Sequence, residues 1–323
     1  RNRSSSELGS GASLPVTTMT GGLFKELGSV PSLPGAEERA ARMLLDVGLQ
    51  EQWLIQEEEL HIDGVFLGRG SHGVVLAGRF CCTPVAIKMF SIGHKGNRTV
   101  FNELRILRHT RHPNIVLFHG VNMHPTTGDI RLVLERVRGV QLGDLFKPPD
   151  RSTDTADATL PPCAPSSATR KLVMKGVLQA LVYLHSRKPC VVHADLKPNN
   201  IMVETPDTEP RAKLLDFGIS RVVTRSARVD GGSKRFMAPE IKDGSCRRAK
   251  PAVDIFSSGR LLSYTASGGQ AFGGLREDLL EDWGEAVAMC TEPDFSARPS
   301  ASEVHAKLFG ENFRRWPSAS SSA

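Results

Sequence analysis

The sequence predicts an α+β fold in two lobes, a small β-rich lobe followed by a larger, mainly helical one, with a cleft between them. Short β-rich runs broken by glycines occupy residues 60–135, and from Gly143 onward apolar residues fall at helical spacing, most clearly over Lys171–His185. The chain is also long enough: 323 residues, 40% hydrophobic and 24% charged, can bury a sizeable core and do not suit a wholly disordered protein.

Composition removes several function classes. Six Cys in so long a chain make no disulfide scaffold, and the adjacent Cys81-Cys82 lack metal-ligand spacing. All six (Cys81, Cys82, Cys163, Cys190, Cys246, Cys290) are expected to be reduced and mostly structural. No apolar run approaches the ~20 residues that span a bilayer. The start, Arg1-Asn-Arg-Ser-Ser-Ser, has neither a Met nor an apolar signal core, so the chain reads as a fragment without a secretory address. A cytoplasmic protein is expected, with the nucleus as the second compartment.

In chain order, residues 1–35 are rich in Ser, Gly, Thr and Pro and read as a disordered leader. Residues 36–59 read as a helical extension packed on the domain that follows. Strands are expected at His61–Leu67, Val74–Ala77, Pro84–Lys88, Ile115–Phe118 and Arg131–Glu135, with a helix at Val100–Leu107. Residues 147–169 hold five prolines among Ser, Thr, Ala and Asp, which predicts a flexible insertion. The Ser-rich stretch 310–323 reads as a disordered tail.

The chemistry-bearing residues begin with Leu67-Gly68-Arg69-Gly70-Ser71-His72-Gly73-Val74-Val75. Glycines at this spacing let a hairpin bring backbone N–H groups close to a polyphosphate, although a Gly-rich hairpin is often only a turn. A strand rather than a helix follows, which disfavours a dinucleotide site. Lys88 ends the run Val85-Ala86-Ile87-Lys88, and Glu103 in the next helix offers it a partner. More specific is His193-Ala194-Asp195-Leu196-Lys197-Pro198-Asn199-Asn200, which sets a carboxylate, an amine and an amide on one short loop, suited to act as base, charge clamp and metal ligand. Asp216-Phe217-Gly218, Met237-Ala238-Pro239-Glu240, Asp254-Ile255-Phe256-Ser257-Ser258-Gly259 and Arg298-Pro299-Ser300 follow in order.

Taken together, these motifs resemble those of the eukaryotic protein kinase domain, over roughly Leu60 to Phe309. Trp53-Leu54-Ile55 with Glu59-Leu60 and the Gly-rich run further resemble the tyrosine-kinase-like branch of the Ser/Thr kinases. The resemblance implies a bilobal kinase fold with an N-lobe over 60–135, a hinge over 135–139 and a C-lobe over 140–309. It implies that the backbone from Leu67 through Gly68, Arg69, Gly70, Ser71, His72 and Gly73 covers the phosphates of ATP. Lys88 would meet the α/β-phosphates and Glu103 would orient Lys88. Asp195 would take or orient the proton of the substrate hydroxyl, Lys197 would steady the transferred group, and Asn200 and Asp216 would hold Mg²⁺, with Mn²⁺ as its substitute. Val75, Ala86 and Met202 fall where the family encloses adenine, though apolar residues there also serve plain core packing. Leu134 resembles the gatekeeper, followed by Glu135, Arg136 and Val137 of the hinge. Lys197, two residues after Asp195, resembles the Ser/Thr-specific loop, and Ser233 stands where the family contacts that loop.

Two departures matter. Ala194 replaces the arginine that in the family pairs with an activation-segment phosphate, so activity independent of phosphates on Thr224 or Ser226 is expected. Asp254 to Arg298 is shorter than in family members, which removes part of the usual peptide-docking region between the helices that the family labels αF and αH. A smaller one is His72 at the loop tip, read as a solvent-exposed bystander. These departures keep a second reading open, a pseudokinase that binds ATP or partners with little transfer. A small-molecule kinase is disfavoured by Ala238-Pro239-Glu240. The formal charge of +6 is concentrated between Arg221 and Lys250, which hold nine basic and three acidic residues. Protein substrates that are acidic or already phosphorylated are therefore expected, and nucleic acid is not. The oligomeric state is left open.

Overall fold

A computed structural model of the chain describes residues 46–70, 73–90, 94–124, 129–147, 165–204, 209–270 and 277–310. The expected leader, most of the insertion, the tail beyond Gly310, and Ser71 and His72 lie outside the described residues.

The first lobe is an antiparallel five-stranded sheet of order β1-β2-β3-β5-β4, built from β1 Leu60–Gly70, β2 Gly73–Phe80, β3 Thr83–Met89, β4 Phe118–Met123 and β5 Ile130–Glu135. Helix α1, His94–Leu107, crosses between β3 and β4. The period-two alternation of β3 puts Val85 and Ile87, fully buried, on one face with Ile55, Leu60 and Val133. Ala86 and Lys88 are thereby turned to the other face, where the cleft opens. Cys81 and Cys82 form the exposed two-residue turn between β2 and β3, both with positive φ, so these two thiols are at the surface rather than structural.

The second lobe starts with β6 Gly139–Gln141 and helix α2 Ser167–Ser186, then β7 Val191–Val192, β8 Ile201–Glu204, β9 Arg211–Leu214 and β10 Arg221–Val222. Helices α3 Pro239–Lys242, α4 Pro251–Ala266, α5 Glu277–Cys290 and α6 Ala301–Phe309 complete it. Strands β6-β8-β9 form a small sheet beneath the cleft, and β7 pairs with β10. Helix α2 buries Val173, Met174, Val177, Leu178, Leu181 and Leu184 at three- and four-residue spacing, which makes it the centre of the lobe. The expected separation into a β-rich and a helical lobe is present.

Three boundaries differ from expectation. Of the expected 36–59 extension, residues 36–45 lie outside the described residues; the remainder is helical at 46–50 and in a 3₁₀ turn at Glu57–Glu59, while Trp53-Leu54-Ile55 runs extended. It adds to the open edge of β4 through Ile55 N–H to Val121 O (2.8 Å) and Val121 N–H to Trp53 O (2.8 Å), while Trp53 packs edge-on against Phe118. Sheet-edge hydrogen bonding thus sets the extended conformation of Trp53-Leu54-Ile55. The strand expected at Ile115–Phe118 begins only at Phe118; Ile115 and Val116 instead join the lobes by a parallel bridge to Leu214. The 147–169 insertion ends early, because Ser166 caps α2 by accepting the Thr169 N–H at 3.1 Å.

The C-terminal carbonyls of α4 are satisfied by Arg170 of α2, a side chain 2% exposed. It donates to Thr265 O (2.8 Å), Ala266 O (3.0 Å) and Pro165 O (3.0 Å) and lies 5.1 Å from the Phe146 ring. Arg170→Met leaves buried carbonyls without those donors, so urea unfolding should show a loss on the order of 3 kcal/mol.

Candidate active site

The cleft between the lobes has a volume of about 1120 Å³. Leu67, Gly68, Arg69, Val75 and Ala86 line its upper wall. Leu134, Glu135 and Val137 line its back, and Met202, Lys197, Asn200 and Asp216 its floor. Gly70 and Gly73 end β1 and begin β2 at the cleft's rim. Gly73 is held so close to the Met89 carbonyl that an added Cβ would lie 2.1 Å from its oxygen, so no side chain fits there.

Lys88 is the hinge of the electrostatics. Its Nζ donates to Glu103 Oε1 (2.9 Å) and Oε2 (2.7 Å) and to Asp216 Oδ1 (2.8 Å). Burial alone would lower the Lys88 pKa, but the two carboxylates reverse this and hold it above the ordinary lysine value. Burial likewise pushes Asp216 up, and is outweighed by the charge and hydrogen bond of Lys88, which hold it well below the usual carboxylate range. Glu103 is raised, by burial first, with the Asp216 charge acting in the same direction. One ammonium between two carboxylates leaves negative charge at the cleft floor, a setting that attracts a cation.

Asp195 is fixed from three sides. Its Oδ2 accepts from Lys197 Nζ (2.6 Å) and Asn200 Nδ2 (3.0 Å), and its Oδ1 accepts the Ser233 N–H (2.9 Å). Asn200 Nδ2 also donates to Asp195 O at 2.8 Å, so the amide nitrogen faces Asp195 and its oxygen is the other branch. Asp216, kept ionised, and the Asn200 amide oxygen are therefore two hard oxygen donors on the cleft floor. No group of three His, Cys, Asp or Glu suited to a metal occurs among the described residues. Most of a metal's shell would come from phosphate oxygens and water, which is the habit of Mg²⁺. A divalent cation fits these residues.

The loop carrying Asp195 is held by Asp254 of α4, which is fully buried. It accepts the N–H groups of His193 (2.8 Å) and Ala194 (2.8 Å) and pairs with His185 (2.9 Å). Ala194 has φ +68°, a left-handed conformation that costs a non-glycine residue about 1–2 kcal/mol. The paired N–H bonds to Asp254 offset it. The Ala194 methyl sits in an apolar cluster with Val192, Val229, Ala238 and Val253, beneath the segment that follows Asp216-Phe217-Gly218. That segment is pinned by main-chain bonds, Val223 N–H to Cys190 O (2.7 Å), Val229 N–H to Arg247 O (2.8 Å) and Ala249 N–H to Ala227 O (2.9 Å). Arg221 bridges its two limbs, donating to Ile219 O (2.9 Å), Ser220 O (3.1 Å) and Arg228 O (2.8 Å).

Two contributors carry no motif signal, and a third shows its role only in the fold. Asn102 of α1 meets the backbone just after Asp216. Lys213 of β9 holds the Glu135 carboxylate at 2.8 and 2.9 Å, with the Leu117 N–H on the same carboxylate at 3.0 Å, so the Glu135 side chain is committed to joining the lobes. Asp254 stood in a motif, but its hold on two successive N–H groups is visible only in three dimensions.

A bilobal fold with a Gly-rich hairpin over a cleft lined by Lys88, Lys197, Asn200 and Asp216, with Asp195 bonded to Lys197 and Asn200, defines a protein kinase. The sequence profile of the Protein kinase domain matches residues 62–315, and the chain belongs to that family. Among its relatives, human mitogen-activated protein kinase kinase kinase 7 is 30% identical over 287 residues, covering 82% of this chain and 44% of the relative. A serine/threonine-protein kinase of Dictyostelium discoideum is 31% identical over 261 residues, covering 77% and 38%. A serine/threonine-protein kinase/receptor of Acanthamoeba polyphaga mimivirus is 28% identical over 281 residues, covering 80% and 16%. The chain spans less than half the length of each of these relatives. No helix among the described residues is long and apolar enough to cross a membrane.

Proposed function

We propose that the chain is an active serine/threonine kinase that transfers the γ-phosphoryl group of ATP to Ser and Thr hydroxyls of proteins, with Mg²⁺. The observation that carries the reading is Lys88 in simultaneous contact with Glu103 and Asp216, because it holds helix α1, the sheet and the metal-facing carboxylate in one working arrangement. The hairpin from Leu67 to Gly73 closes over the phosphates, and Lys88 meets their α and β oxygens. Val75, Ala86 and Met202 enclose the adenine, whose polar edge meets the backbone of Glu135 and Val137. Asp195, held by Lys197, Asn200 and the Ser233 N–H, orients the acceptor hydroxyl and receives its proton. Lys197 steadies the group in transit. Asn200 and Asp216 would hold Mg²⁺, which would supply neutralisation of the phosphate charge, so catalysis is mostly positioning and electrostatics.

Acidic or already phosphorylated substrates suit the surface beside the cleft. Arg225, Arg228, Lys234, Arg235, Arg247 and Arg248 are exposed there, and a backbone bridge between Arg228 and Arg248 brings two of the runs together. The test is to incubate the protein with labelled ATP, Mg²⁺ and an acidic or a basic acceptor protein, beside an Asp195→Asn control. Label on Ser and Thr in the wild type alone supports the reading, with the acidic acceptor preferred. Equal label in both proteins, or none in either, sinks it, and nucleotide binding without transfer supports the scaffold alternative.

Phosphate on the segment is not needed in this account, since Arg221, the main-chain pairings and the Ala194 cluster already hold it. Thr224→Ala with Ser226→Ala should leave kcat within about twofold, whereas Arg221→Ala should lower it more than that. A collapse of activity in the double variant would contradict this.

A further inference from the structure

Asn102 stands directly before Glu103 on α1, half-buried, and its single amide nitrogen donates to three main-chain oxygens, Phe217 O (3.2 Å), Gly218 O (3.1 Å) and Ser220 O (2.7 Å). Three carbonyls converging on one point form a small negative nest that only a donor can occupy. The amide's orientation is therefore forced, with nitrogen inward. The neighbouring Glu103 accepts both its bonds from Lys88. Successive side chains of one helix thus act on the two neighbours of this turn, Asn102 donating to the Phe217 carbonyl and Glu103 holding the Lys88 that meets Asp216. Phe217 is the residue immediately after Asp216, whose backbone has φ +58°, a conformation that a non-glycine residue keeps only when its surroundings enforce it.

We infer that Asn102 is a positioning residue for the divalent cation: it moors the 217–220 backbone to α1, and so fixes the direction in which Asp216 presents its carboxylate. The inference rests on the proposed nucleotide and metal site and adds a residue outside it that sets how well it holds the ion. Lys88 restrains Asp216 through the side chain, and Asn102 restrains it through the backbone that follows. With the amide gone, the three carbonyls must find water, and the 216–220 turn is free to rotate Asp216 away from the cleft. Replacing the amide by a carboxylate is harsher, since it sets acceptor against acceptor at unchanged size. Groups one step behind a metal ligand typically change ion affinity by about 10–100-fold when removed.

The test reads binding rather than turnover. A fluorescent, non-hydrolysable ATP analogue is titrated at increasing Mg²⁺ against the wild type and against Asn102→Asp, Asn102→Ala and Asn102→Gln. Asn102→Asp and Asn102→Ala should each raise the Mg²⁺ concentration at half-effect about tenfold, with little change in the affinity measured without metal. Asn102→Gln keeps the amide on a longer stem and should restore most of the loss. If Asn102→Asp does not fold, Asn102→Ala carries the comparison. A half-effect concentration that stays at the wild-type value overturns the inference, however far the melting temperature falls, because a purely structural amide would change stability alone. A wild type whose nucleotide binding ignores Mg²⁺ overturns it as well. A wild type that responds to Mg²⁺ but transfers no phosphoryl group sinks the proposed activity and leaves the role of Asn102 standing.

Discussion

Lys88→Met is expected to lower the rate of phosphoryl transfer by about 10²–10³-fold, the loss typical of removing one preorganised charge or donor from an active site. The reasoning is local. Nζ is 2.7 Å from Glu103 and 2.8 Å from Asp216, and the Glu103 side chain is 1% exposed, so no solvent replaces the lost cation. The variant keeps two buried carboxylates facing each other, and breaking a buried pair in this way costs about 3–5 kcal/mol. The pH dependence follows from the directions of the shifts. In the wild type, the depressed Asp216 pKa contributes stability that is present above the ordinary carboxylate value and is lost only as pH falls through the depressed value. In the variant, the carboxyl pair titrates high, so its penalty is full near pH 7.5 and is relieved as a proton is taken up on acidification. The melting-temperature gap between the two proteins should therefore be widest near pH 7.5 and narrow toward about pH 5. A gap that widens on acidification would show that the three groups do not share one charge balance.

Arg298→Ala should have the largest effect on stability. All five guanidinium donors are used: two reach Glu240 at 2.7 and 2.8 Å, and the others meet Glu292 O (2.7 Å), Ala252 O (3.1 Å) and Pro293 O (3.2 Å). The side chain is fully buried and lies 5.0 Å from the Phe256 ring. Truncation strands the Glu240 carboxylate, which is 7% exposed, at a cost of about 3–5 kcal/mol. For a domain of this size that lowers the melting temperature by on the order of 10 °C. Arg298→Lys should recover little, since a lysine has three donors and no planar fork. This pair ties α3 to the residues just before α6, across the stretch in which residues 267–276 connect α4 to α5. Near-normal melting of Arg298→Ala would mean that these helices are held by other contacts.

Much of the cleft could be read from the chain because its chemistry is carried by residues whose type and spacing are both constrained. Lys88, Asp195, Lys197, Asn200 and Asp216 each belong to a motif, Glu103 stands in the helix after Lys88, and hydrogen bonds join Lys88 to Glu103 and Asp216, and Asp195 to Lys197 and Asn200. What supports them was not readable, for physical reasons. Asn102 is one polar residue on a helix, and nothing in its surroundings along the chain says that three carbonyls from residues 217–220 will meet it. Trp53-Leu54-Ile55 has no alternation to mark a strand, because its partner is an edge of β4 more than sixty residues away. Ile115 and Val116 are apolar enough for a strand, yet the hydrogen bonds that flank Ile115, Val116 N–H to Leu214 O and Leu214 N–H to Asn114 O, go to β9 of the other lobe. Ala194 shows in the sequence only as a lost arginine. The structure adds what took its place, a methyl in an apolar cluster under a segment already pinned by its own backbone.

A cleft assembled for transfer as it stands, without a phosphate to complete it, should keep its rate when phosphate is removed. The most direct measurement is the rate of phosphoryl transfer from Mg·ATP to protein Ser and Thr by the wild type after exhaustive phosphatase treatment, beside Asp195→Asn treated in the same way. The expected rate is within about twofold of that of the untreated protein, with the rate in Asp195→Asn lower by about 10²–10⁴-fold. A treated wild type as inactive as Asp195→Asn would contradict it.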